Sequence, residues 1–262
     1  MRRYGRIVAR FAQTEIQREL EYRANLALEI VQMLMVIASS VGAVLVLFSY
    51  TSAINGWTLP QMIILLGVFY LVQGVEEMVF QPSVTQLMEH VRQGTLDFTL
   101  LKPANSQFLL SLRQWNVVQI AQILLGAIVL STGVARVGAV VPLVAGLAFV
   151  VTLVCGLILV YSVLLVLATL SFWFVRVDNI LAVFWAFMDA GRFPVDVYPG
   201  WLRVTLSTVI PIGIAVTVPA QALVSRLDLV GFLTTVVGTA VAWVFSGWFW
   251  RVGLRNYTGA SA

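Results

Sequence analysis

The chain has 262 residues, is 60% hydrophobic and carries only 11% charged residues, against about 25% in ordinary soluble domains, so it lacks the polar surface to cover a soluble globule. Its net charge of +4 does not point to nucleic acid, because basic residues flanking membrane spans account for it. One cysteine, Cys155, excludes an internal disulfide, and with one histidine, His90, it cannot build a typical zinc site.

The mean hydropathy is +0.94, and apolar runs long enough to cross the hydrocarbon recur along the whole length. We read residues 1–262 as one all-α integral membrane domain with six spans. The first 24 residues are basic but have no apolar core, so they do not read as a cleavable signal peptide. Tyr4, Ile7, Val8, Phe11, Ile16 and Leu20 share one face there, with Arg6, Arg10, Glu15, Arg18 and Glu19 opposite. That pattern predicts an interfacial amphipathic helix lying on the lipid headgroups.

Span one is predicted over 25–50 and span two over 59–80, with Pro60 in its first turn. Residues 81–105 then form a polar connection. Pro82 is expected to start a short helix and Gly94 to end it, with Val84, Leu87, Met88 and Val91 as its apolar stripe. Leu96, Phe98 and Leu100 alternate with Thr95, Asp97 and Thr99, which predicts an extended strap up to Lys102 and Pro103. Asn105 or Ser106 caps span three, at 106–132. Span four follows at 139–170 and span five at 178–193.

Pro194, Pro199, Pro211 and Pro219 punctuate the next stretch. A straight span does not tolerate so many breaks, so residues 194–225 are expected to form short half-helices that enter the membrane and turn back. Span six is placed at 229–250. Of the 16 basic residues, only Arg136, Arg192, Arg203 and Arg226 fall opposite the termini. The positive-inside rule therefore puts both termini in the cytoplasm. Trp57, Trp201, Trp248 and Trp250 lie near span ends, as an aromatic belt requires.

Glu76 and Glu77 close span two. They read as an interfacial charge pair near the headgroups, with Arg92, Arg113 or the N-terminal arginines as partners, and with a proton or substrate site as the other reading. No G-x-x-x-x-G-K-[ST] occurs anywhere, so the chain is not expected to hydrolyse ATP. His90, on the polar side of a surface helix, reads as solvated and not catalytic.

Three stretches carry a family resemblance: "GTLDFTLLKP" at 94–103, "FPVDVYPGWLR" at 193–203, and the tail "WRVGLRNYTGASA". With them the chain resembles the permease subunits of type-2 ATP-binding-cassette exporters, in a bacterial branch with a G-x-L-D-F-x-L-L-K-P element. The resemblance implies two permease subunits, as a homodimer or a paralogous heterodimer, forming a path across the bacterial inner membrane. Beneath them it implies separate cytoplasmic ATPase subunits that bind ATP and Mg, this chain holding no cofactor or metal itself. Leu87, Met88, Glu89, Arg92, Gly94, Asp97, Lys102 and Pro103 would then couple to the ATPase, and the four prolines would mark an outer gate. The alternative is a stand-alone secondary transporter or channel, which needs charges at mid-bilayer and an internal repeat.

Overall fold

The computed structural model describes residues 23–97, 101, 106–111, 114–138, 141–174 and 178–257. The expected amphipathic helix at the N-terminus, Lys102, Pro103 and Arg113 lie outside the described residues.

Helix α1 spans Arg23–Tyr50. A tight turn follows, in which Ile54 and Trp57 exchange backbone hydrogen bonds of 3.0 and 2.9 Å. Its two central residues, Asn55 (φ 48°) and Gly56 (φ 81°), are both left-handed. Asn-Gly is the pair that tolerates this turn best.

Helix α2 runs from Leu59 to Arg92, with Pro60 in its first turn as expected. At 1.5 Å per residue it is about 51 Å long, well beyond the ~30 Å hydrocarbon core, so one end projects. The structure departs here from the break expected at Pro82. The helix passes through that residue by widening into a π-helical turn at Glu76–Phe80. Pro82 has no N–H for the Met78 carbonyl four residues earlier. The amide of Asn116, from another part of the chain, donates to that carbonyl at 2.8 Å. Wide turn and borrowed donor together leave the helix unbroken.

Gly94 ends α2 in the left-handed conformation, φ 67°, as expected. Beyond it the Leu101 N–H bonds the Asp97 carbonyl at 3.1 Å; the rest of the expected strap, with Phe98 and Leu100, lies outside the described residues. A short helix α3 covers Ser106–Ser111. The third span starts later than expected: a 3-10 turn at Val117–Gln119 leads into α4, Ile120–Val137. Asn116, extended and bonded to Met78, sets that start.

Helix α5 covers Leu143–Thr169 and continues as a 3-10 turn to Phe172. Next comes α6, Asp178–Ala190. Its 13 residues reach only about 20 Å, so the expected fifth span is not a full-length helix. Tight turns at 191–193 and a 3-10 turn at Val195–Val197 follow Ala190.

Helix α7, Gly200–Val204, widens into a π turn at Thr205–Val209. It meets α8, Ile212–Leu223, at 91°. Pro194, Pro199 and Pro211 each stand at a helix entry. Pro219 differs from expectation, because it lies inside α8 and does not break it. Helix α9, Leu229–Asn256, starts at Asp228, whose side chain accepts the Gly231 N–H.

Among the described residues, five helices are long and apolar enough to cross a membrane, or six if the bent pair is one span. Their packing depends on missing side chains. Gly67 and Gly74 of α2 receive Leu130 and Ile123 of α4, and Gly126 and Gly133 of α4 receive Tyr70 and Ile64 of α2. A Cβ on Gly67 would stand 2.4 Å from the Leu130 backbone nitrogen, and one on Gly133 would stand 2.7 Å from that of Ile64. The backbones therefore touch, which is how helices gain contact where lipid offers no hydrophobic drive. On α5, Gly156 faces the Ala215 carbonyl of α8 at 2.6 Å from where its Cβ would be. Pro219 leaves that carbonyl without its helical donor.

Candidate functional site

The projecting end of α2 presents two faces. Leu87 and Met88 are buried against the bundle, as is Val84. The apolar stripe thus faces inward and braces the helix. On the outward face Arg92 pairs with Glu89, their side chains 56% and 40% exposed, and Gln93 also donates to Glu89. Thr95 folds back to His90, its hydroxyl 2.8 Å from Nδ1 and its amide on the His90 carbonyl. The tip is therefore a fixed turn with a charged outer surface. The tail reaches it too: Tyr257 packs on Phe172 of α5, 5.7 Å between ring centres. Its burial, with Asp97 nearby, raises the phenol above its ordinary range.

The described partners of Glu76 and Glu77 lie within the bundle. Glu76 is 1% exposed, and its carboxylate faces the Trp185 indole N–H of α6 at 3.4 Å. Glu77 accepts from the Gln73 amide at 2.7 Å. Beside them, Arg192 pairs with Asp189 at 2.8 Å, and its guanidinium lies over the Phe69 ring. Phe69 is ten residues along α2 from Leu59, about 15 Å down the helix. Arg192 therefore lies deeper than the outer position expected from its place in the sequence. These charges tie α2 to α6 through neighbours within the protein.

The proline-rich segment is anchored at both ends to one place. The Asn55 side-chain amide donates to the Asp196 carbonyl at 2.7 Å, where Arg203 also donates. Past α8, Arg226 donates to the Gly56 carbonyl and covers Trp57. Asp196 and Arg226 thus meet the same turn between α1 and α2. Both ends of the bent α7–α8 pair therefore lie at one turn, as a re-entrant hairpin requires. All four prolines belong to it or to its approach.

Sequence reasoning missed Asn55 and Asn116, and it named Trp57 and Arg226 without their contact. The Asn-Gly dipeptide was a usable turn signal, whereas the partners of Asn116 and Arg226 lie far away in sequence. Trp57 and Trp250 are buried within the protein and serve as core, while Trp201 and Trp248 are exposed, as a belt requires.

No curated protein and no solved structure matches the chain. The family model described as "ABC-2 family transporter protein" matches residues 33–261. That stretch takes in the long α2, the bent α7–α8 pair and the tail that meets the α2 tip, and over it the chain belongs to the ABC-2 family of transporter proteins.

Proposed function

We propose that this multi-pass membrane protein is the permease subunit of an ATP-driven exporter. In this reading two such subunits line the path, and separate cytoplasmic ATPase subunits drive it. The observation that carries the coupling is the length of α2, whose far end holds a braced, charged tip outside the hydrocarbon. Closure of ATPase subunits around nucleotide presses on residues 86–97. Leu87 and Met88 pass the push into the bundle, while Glu89, Arg92 and Asp97 form the docking surface. Gly94 fixes the turn, and Lys102 and Pro103 carry the chain onward to the next span. The α7–α8 hairpin, with Pro194, Pro199, Pro211 and Pro219, closes the far side as a gate. Both termini face the cytoplasm of a bacterial inner membrane, as the arginine distribution favours.

Mild solubilisation of the tagged chain from its native membrane tests this reading. The expected result is a stoichiometric ATPase that co-purifies and is released by Arg92→Glu. Transport of cargo by the purified chain alone, without nucleotide, would overturn it in favour of a secondary transporter or channel.

A further inference from the structure

A cavity of about 460 Å³ opens between α1, α2 and the start of α4, a size typical of small-molecule sites. Its polar wall carries two carboxylates, Glu29 of α1 and Glu77 of α2, and the amides of Gln73, Gln119 and Gln122. Its opposite wall is apolar, from Met33 to Ile37 of α1. All of this lies at one level. Glu29 is near the start of α1, Gln119 and Gln122 are at the start of α4, and Glu77 is about 27 Å along α2 from Leu59. That is the headgroup level on the side of the Arg92 tip.

The amides are not satisfied by the protein. Gln119 and Gln122 are 8% and 6% exposed. Gln119 Oε1, Gln122 Nε2 and Gln73 Oε1 have no hydrogen-bond partner. A buried acceptor left without a donor is costly, so a ligand that donates to Gln73 Oε1 and Gln119 Oε1 gains what the empty protein lacks. Gln73 has already given its N–H to Glu77, and what remains is an excess of acceptors over donors. Among the described residues no Lys or Arg lines the cavity, and Arg192, whose charge reaches Glu77, is itself paired with Asp189. An anion finds no free counter-charge among them. A primary ammonium, with three donors and no acceptor, fits the acceptor excess.

The cavity also has a side exit. Within α1 only Ile37 and Val44 are buried among the hydrophobic residues, so the helix stands loosely beside the bundle and the gap between them faces lipid. We infer that this cavity binds the head of a cationic amphiphile, an amine with a hydrocarbon tail, with Glu29 and Glu77 as its counter-charges and the amide oxygens of Gln73 and Gln119 as its hydrogen-bond acceptors. The tail lies along the apolar wall of α1 and leaves toward the bilayer. This rests on the transport reading, since it assigns the cargo that such a permease would collect.

The test uses the transporter reconstituted in phosphatidylcholine liposomes with its ATPase. Tetradecylamine is the probe, with tetradecyl sulfate and tetradecanol as controls. Tetradecylamine should raise the permease's melting temperature and stimulate ATP hydrolysis, and the sulfate and alcohol should do neither. Glu29→Gln and Glu77→Gln should each weaken amine binding about tenfold or more, as loss of a charge-assisted bond does. If Glu77→Gln fails to fold, the half-buried Glu29 carries the test alone. Equal binding of sulfate or alcohol overturns the assignment. Amine stimulation that survives both substitutions overturns the site but leaves the transport reading standing. Amine binding that both substitutions weaken, without any ATPase response, supports the site and sinks the transport reading. A Gln32→Cys cross-link between two copies that the amine does not block means that a second subunit fills the cavity, and it overturns the proposal.

Discussion

Arg226 clamps Trp57: its guanidinium carbon stands 5.2 Å from the centre of the indole ring, and it donates to the carbonyl of the adjacent Gly56. A residue just past the bent α7–α8 pair thus grips the turn that starts α2. A cation over a tryptophan face contributes about 0.5–2 kcal/mol, the upper end when desolvated, and Trp57 is 1% exposed. Arg226→Ala should lower the melting temperature of the detergent-purified protein by a few degrees, and Trp57→Leu should do the same. The double variant should cost less than the sum. Full additivity would show that the two side chains act separately.

Gly67 tests the packing of α2 on α4. Even a methyl group there meets backbone, 2.4 Å away, and backbone cannot rotate aside. Gly67→Ala should cost about 1–3 kcal/mol or more and show as loss of monodisperse protein in size-exclusion chromatography. Gly42→Ala on α1, where nothing lies within 4 Å, should be neutral or slightly stabilising. Equal behaviour of the two variants would contradict the close approach.

Gly156→Ala probes a second contact of the same kind. Its methyl would press on the Ala215 carbonyl and push α8 away from α5. Thermal unfolding should be shifted down by several degrees, and cysteine cross-linking across the α5–α8 contact should slow.

The π turn gives a test by hydrogen exchange. Pro82→Ala restores an N–H that can take the Met78 carbonyl and so displaces Asn116. A net hydrogen bond is worth about 0.5–1.5 kcal/mol, so the Asn116 amide should exchange up to about tenfold faster. Unchanged exchange would mean that Asn116 is held by something else.

The exposed tip separates coupling from stability. Arg92 and Glu89 are a solvent-accessible pair, and such pairs add little to stability. Charge reversal at Arg92 or Asp97 should leave membrane insertion and melting intact while abolishing stimulation of the ATPase. Stimulation that persists in both variants argues that docking occurs elsewhere.

Much of this architecture is legible in the sequence. Helices α1, α5 and α9 follow from uninterrupted apolar runs, and Gly94 marks the end of α2 as its lack of a Cβ allows. Pro82 misleads, because a proline normally starts or breaks a helix. Here the missing bond is replaced by Asn116, a partner that no local window contains. The length of α6 misleads for another reason: hydropathy reports how apolar a segment is, not how far its chain is helical. Glu76 and Glu77 stand out as charges in an apolar run, but the Trp185 and Gln73 contacts that define their roles appear only once the helices pack. The amides at Gln119 and Gln122 give no signal alone, since glutamine at the start of a span is ordinary.

The glycine contacts also constrain how α2 can move. They run along α2 from Ile63 to Gly74, where α4 meets it backbone to backbone, over about 16 Å. A seam of that length resists tilting and sliding alike, so α2 and α4 travel as one beam, and any displacement of either helix carries its partner with it.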